Sequence, residues 1–204
     1  MKNLGTLDRL LRVFLSEICF LAGFFWLGTE WQIPLYLIAA VLLLQAATGT
    51  CGIYSLIGIN TCERIKRKDK NIITISLVLI IASAAIGGYL SSTMTRDIFL
   101  QDFGSIKEPY IAVLSDTSQG IRDQSISDYE RLNSSFLAFD EKYRNYRPLA
   151  IKSDDRLSDD LVNITVIIRG SKEDVFSGDL SRAHNTLQKI GPMLQGIMRR
   201  SRLE

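Results

Sequence analysis

Nineteen consecutive residues, Ile72 to Leu90, carry no charge. As a helix they would cover about 28 Å, close to the hydrocarbon thickness of a bilayer, so a membrane crossing is expected there. Ile33 to Ile59 is also uncharged along its whole length, with Pro34 in the first turn, where a missing N–H is harmless, and a candidate break at Gly49-Thr50-Cys51-Gly52. Val13 to Leu27 is shorter and contains Glu17, but it is followed within a few residues by the second run. A helical hairpin and then a third crossing is the economical reading. The first apolar stretch meets the second without an A-x-A-like site, so the first helix is expected to be retained rather than cleaved as a signal peptide.

Basic residues near the membrane ends set the expected orientation. Lys2, Arg9 and Arg12 precede the first span, and Arg64, Lys66, Arg67, Lys68 and Lys70 crowd the connection between the second and third. The connection from Gly28 to Gln32 has none, and Trp26 and Trp31 bracket it. Both basic segments are therefore expected in the cytoplasm, with everything after about Thr93 outside. The expected location is the cell inner membrane, multi-pass, with the N-terminus cytoplasmic. Leu4, Leu7, Leu10, Leu11 and Phe14 recur at helical spacing before the first span. That segment either lies along the inner surface or begins the first crossing helix.

Beyond the membrane the pattern changes from uniform to striped. Phe99, Phe103, Ile106, Tyr110 and Val113 form one stripe, and Leu132, Phe136, Phe139, Tyr143 and Tyr146 a second. Leu157, Leu161, Ile164 and Ile168 form a third, and Leu180, Ala183, Leu187, Ile190, Leu194 and Ile197 a fourth. Each has the 3–4 spacing of a helix with one buried face. Gly120, Pro148 and Gly178-Asp179 fall between stripes, Ser153 and Asp154 are candidate caps before the third, and Pro109 and Pro192 should kink the first and fourth. The expected fold is all-α: three transmembrane helices followed by an exported up-and-down four-helix bundle. Its expected parts are residues 1–70, a two-helix membrane domain with a basic loop; 71–95, the third crossing; and 96–204, the exported domain.

From Arg96 onward the chain holds 16 basic and 17 acidic residues, so the net charge of +2 comes from the anchor, and no cationic face for nucleic acid is expected. All three cysteines, Cys19, Cys51 and Cys62, lie in the anchor, so the exported domain relies on packing without a disulfide.

Asn3-Leu4-Gly5-Thr6-Leu7-Asp8-Arg9-Leu10-Leu11-Arg12 at the start, with Cys51, Tyr54, Gly58, Asn60, Thr61 and Cys62 further on, resembles the two-helix membrane domain of YgaP-like inner-membrane proteins. In that family the domain is attached to rhodanese modules or stands alone in bacteria. The resemblance covers about a third of the chain and implies the hairpin fold, for a family mostly of unknown function. The family usually has proline where this chain has Gly52, and Glu17 is not expected from it. No rhodanese module follows, so sulfur transfer does not come with the resemblance.

Cys51 and Cys62 are the candidate thiol site, for sulfur handling or redox sensing at the cytoplasmic face as the alternative function, because the basic run at Arg64 to Lys70 would stabilise a thiolate. Eleven residues of continuous helix would hold them about 16 Å apart, too far for a disulfide unless the chain turns at Gly52 or Gly58. Glu17 is an ionisable group in an apolar run and is the candidate intramembrane contact, paired with Arg12 or Arg9, meeting another subunit, or serving as a protonatable site. His184 invites a haem- or metal-binding reading, but it lies beside its stripe, and no C-x-x-C-H accompanies it. Asp154, Asp155, Asp159 and Asp160 lack calcium-loop spacing and suit a helix's first turn. With no nucleophile-base pair or phosphate-cradling loop, a non-enzymatic accessory or assembly protein without cofactor is expected. Its expected partners are the lipid bilayer and a protein partner or a second copy of itself, with no nucleic acid.

Overall fold

A computed structural model describes residues 3–61 and 70–201. The regular structure among them is helical throughout: α1 (Thr6–Phe25), α2 (Thr29–Thr48), α3 (Gly52–Ile57), α4 (Lys70–Gln119), α5 (Arg122–Asn145), a 3-10 turn (Leu149–Ile151), α6 (Leu157–Phe176), α7 (Leu180–Leu187) and α8 (Ile190–Arg200). The protein is all-α. It divides into two compact units, Met1–Thr93 and Met94–Glu204, and the division falls inside α4.

Two stretches have the length and apolarity to cross a membrane, Thr29–Thr48 in the first unit and Ile73–Gln119, which begins in the first unit and ends in the second. α1 has the same length as α2 but carries Asp8, Arg9, Arg12 and Glu17. It is one helix from Thr6, so the apolar segment before Val13 begins the first helix. α1 and α2 pack through small residues. Ser16 and Gly23 of α1 and Ala39 and Ala46 of α2 are buried, and a side chain at Gly23 would meet the Tyr36 ring at 3.0 Å. The Ser16 hydroxyl donates to the Ala39 carbonyl at 3.0 Å. α2 stops at Thr48 because Gly49 takes a left-handed conformation, φ 72°, that branched side chains avoid. The long apolar run from Ile33 is thus split, with α3 as a separate helix whose Leu56 is 89% exposed.

In the second unit all four stripes are buried faces. Phe99, Phe103, Ile106, Tyr110 and Val113 meet Leu132, Phe136, Phe139, Tyr143, Leu157, Leu161, Ile164 and Ile168 in one core, joined by Ala183, Leu187, Ile190, Leu194 and Ile197. Tyr146 of the second stripe packs against its edge. Aromatic pairs fix one end, with Phe99 edge-on to Tyr143 at 5.2 Å between centroids.

The two prolines behave differently. α4 runs unbroken through Pro109, where Ile106, Tyr110 and Val113 on its buried face hold it in place. Pro192 acts four residues back, where a proline ring excludes the normal helical bond: the chain breaks at Gln188-Lys189, and one stripe becomes α7 and α8. The freed Gln188 carbonyl accepts from the Gly191 N–H at 3.2 Å and the Tyr110 hydroxyl at 3.4 Å. Asp179 caps α7 by accepting from Ser181 N–H and Arg182 N–H. Neither Ser153 nor Asp154 caps α6, which begins after Arg156; Asp154 instead accepts the Arg156 N–H at 3.1 Å.

Candidate functional site

The two ends of the first unit's sequence signature are joined by hydrogen bonds. The Asn3 side chain donates to the Cys51 carbonyl at 2.9 Å and accepts from the Cys51 N–H at 2.8 Å, copying the pairing of two backbones. The Asn3 and Leu4 N–H groups both donate to the Gly49 carbonyl at 3.1 Å. Thr61 closes the other side: its N–H donates to the Asn3 carbonyl at 3.0 Å, and its hydroxyl accepts from the Gly5 N–H at 2.8 Å. Gly5 is required here because a Cβ would stand 2.6 Å from the Thr61 carbonyl oxygen. Leu4, 1% exposed, is buried beneath this lock.

The charged residues of the signature complete it. The Arg9 guanidinium lies against Gly49, where any side chain would overlap it, and its Nε donates to the Leu4 carbonyl at 3.3 Å. Arg12 pairs with Asp8 at 3.1 Å, donates to the Gln45 side-chain oxygen of α2, and stands over the Tyr54 ring of α3 at 5.2 Å. One arginine therefore ties three helices together. Gly52 is the first residue of α3, a position where proline is also tolerated.

Cys51 is 2% exposed, and its backbone is held by Asn3. Its thiol sits inside the lock. Cys62 lies outside the described residues, as do Lys2, Arg64, Lys66, Arg67 and Lys68. Cys19 is half-buried in α1 and free.

Glu17 and Arg12 are placed apart. The Ser83 hydroxyl of α4 lies 2.9 and 3.1 Å from the two Glu17 carboxyl oxygens and 2.9 Å from the Ile80 carbonyl, three acceptors for one hydrogen. The contact of Glu17 is thus α1 to α4, while Arg12 serves α1, α2 and α3. Serine within an apolar run looks like any other small residue, so the sequence held no sign of this partner.

In the second unit, His184 Nδ1 lies 3.1 Å from the Leu114 carbonyl and 3.3 Å from the Thr117 hydroxyl. A carbonyl only accepts, so Nδ1 carries the hydrogen, and the imidazole joins α7 to α4. Among the described residues, no group of three or more His, Cys, Asp or Glu is placed to hold a metal. Of the acidic cluster, Asp154 and Asp160 are both bound by Arg200 of α8, and the Arg200–Asp154 distance is 2.8 Å. Asp159 and Asp160 also occupy the first turn of α6. The sequence reading missed two further contacts. The Tyr143 hydroxyl donates to Asp102 at 2.7 Å, and burial first, then that carboxylate, push the phenol well above its ordinary range. Asp116 of α4 faces Asp128 of α5, and desolvation followed by this neighbour raises its carboxyl.

Residues 1–64 match the family model described as the transmembrane domain of the inner membrane protein YgaP-like group. The match covers the hairpin and the lock and stops before α4. No curated protein and no solved structure matches the chain.

Proposed function

We propose that this chain, whose first 64 residues carry a YgaP-like inner-membrane domain, is a membrane-anchored accessory or assembly protein without catalytic activity. Its helical unit binds a protein partner in the cell envelope. The observation that carries this reading is on α6. Val162 and Val166 are 49% and 63% exposed, one turn apart, and each lies two residues from Ile164, on the far side of the helix from the core. The core cluster is closed without them, so most of what they could bury on that face is left for a contact. Stiff, β-branched side chains lose little rotamer freedom when covered, which suits them to a contact surface.

In this reading α1, α2 and the first part of α4 cross the membrane, residues 63–70 face the cytoplasm, and residues 96–204 form an exported bundle in the periplasm. Support comes from five basic residues between Arg64 and Lys70, none between Gly28 and Gln32, and an odd number of crossings. A fusion after Arg202 should be active with an export-dependent phosphatase, and one near Lys68 should not. The reverse pattern would sink the topology. Cross-linking in intact membranes followed by mild-detergent purification should recover a stoichiometric protein partner, and Val166→Glu should lose it. Recovery of free monomer alone would refute the partner.

A further inference from the structure

We propose that the groove between α4 and α8 in the second unit holds an acyl chain of an anionic bilayer phospholipid, whose headgroup is drawn by Arg199 and Lys107. The groove encloses about 770 Å³, with walls running from Leu100 to Ile111 and from Gly191 to Arg199. That is within the roughly 300–1,000 Å³ of small-molecule sites. One end is pinned where Tyr110 stands against Gly191 and reaches the Gln188 carbonyl. From there the α4 wall runs back to Leu100 while the α8 wall runs forward to Arg199.

Three observations select the occupant. The first is the apolar lining, with Phe103, Leu194 and Met198 inside and Gly104 leaving the α4 wall open where a side chain would stand. The second is charge: Lys107 and Arg199 are the only charged residues lining the groove, and neither has an ion-pair partner among the described residues. Arg200, next in sequence, is instead committed to Asp154 and Asp160. Two cations without an ion-pair partner among the described residues, beside an apolar channel, match a ligand with a long apolar body and a negative head. The third is shape: the α4 wall is about 16 Å long at 1.5 Å per residue, an elongated channel that suits an extended chain. Leu100 follows Leu90, the end of the uncharged run, by only ten residues of chain.

The test places a photoreactive diazirine amino acid at Ile111, an exposed wall residue, in the full chain, and irradiates intact membranes. The expected product is the chain plus the mass of one phospholipid. Gly104→Leu should abolish it: a Cβ there meets nothing within 4 Å, so the side chain fills the groove without disturbing the fold. The double variant K107E/R199E should reduce it by about tenfold or more. Unchanged hydrogen-exchange protection in α5 and α6 will show that both variants fold. A lipid adduct indifferent to both variants, an adduct to another protein or a second copy, or no adduct would overturn the inference. A protein adduct would do so while leaving the proposed partner reading intact.

Discussion

The two units bury opposite kinds of residue. In the second, the core is built mainly of Phe, Tyr, Leu, Ile and Val. In the first, Ser16, Gly23, Ala39, Ala46 and Gly49 are hidden, with Leu4 and Phe25 the exceptions among large side chains, while Leu37, Leu44, Leu79 and Ile81 face outward. The difference follows from the solvent each unit meets. Water drives large apolar groups together, whereas lipid tails are as apolar as leucine and give no such drive. A hairpin in lipid therefore holds through close backbone approach and hydrogen bonds, and this chain concentrates those in the lock around Asn3.

The comparison can be broken most sharply by truncating one large residue in each unit. Phe136→Ala should cost about 3–5 kcal/mol, lowering amide protection in α5 and α6 by about two to three powers of ten. Leu37→Ala, on an outward face of α2, should stay within about 0.5 kcal/mol. Similar losses would refute the contrast. Next in size is Asn3→Ala, which leaves the Cys51 N–H and carbonyl unpaired at about 1–3 kcal/mol. In a chain with Cys19 and Cys62 replaced by alanine, it should speed alkylation of Cys51 in membranes. An unchanged rate would show that the lock does not guard the thiol.

Ser83→Ala removes the α4 partner of Glu17 and should cost about 0.6 kcal/mol, and no more than about 1.7, read as the stability of the anchor in denaturing detergent. A larger loss would make the Glu17 contact, rather than the Asn3 lock, the anchor's chief tie. The smallest effect concerns the second unit's surface. Asp116 has a raised carboxyl beside Asp128, so the wild-type fold gains stability as pH falls and loses it as pH rises through that value. Asp116→Asn should then be more stable at pH 7 by up to about 0.5 kcal/mol, a difference that disappears below the ordinary aspartate value of about 3.9. Thermal unfolding at both pH values decides it.

The second unit was largely legible in the sequence because a buried helix face repeats. Each stripe residue from Phe99 to Ile197 that repetition marked is buried or packed on the core's edge. The division of the last stripe was legible only as a kink at Pro192, since the sequence does not show that the break falls four residues earlier, where the ring excludes a carbonyl. The first unit's contacts were scarcely legible. Asn3 and Cys51 are 48 residues apart, and Glu17 and Ser83 are 66 apart. Single polar pairs across such distances leave no period to read, so the sequence offers Glu17 its near neighbours Arg12 and Arg9 rather than the serine it meets.

The lock also fixes an order of events during synthesis. Asn3 leaves the ribosome 58 residues ahead of Thr61. At about 5–20 residues per second, it waits roughly 3–12 s for the partner that closes over it. The lock can close only after the chain has turned back between α1 and α2, because the Gly49 carbonyl and the Cys51 backbone reach Asn3 only when the hairpin has folded back on itself. Closure of the lock thus reports that the hairpin is complete as far as Thr61.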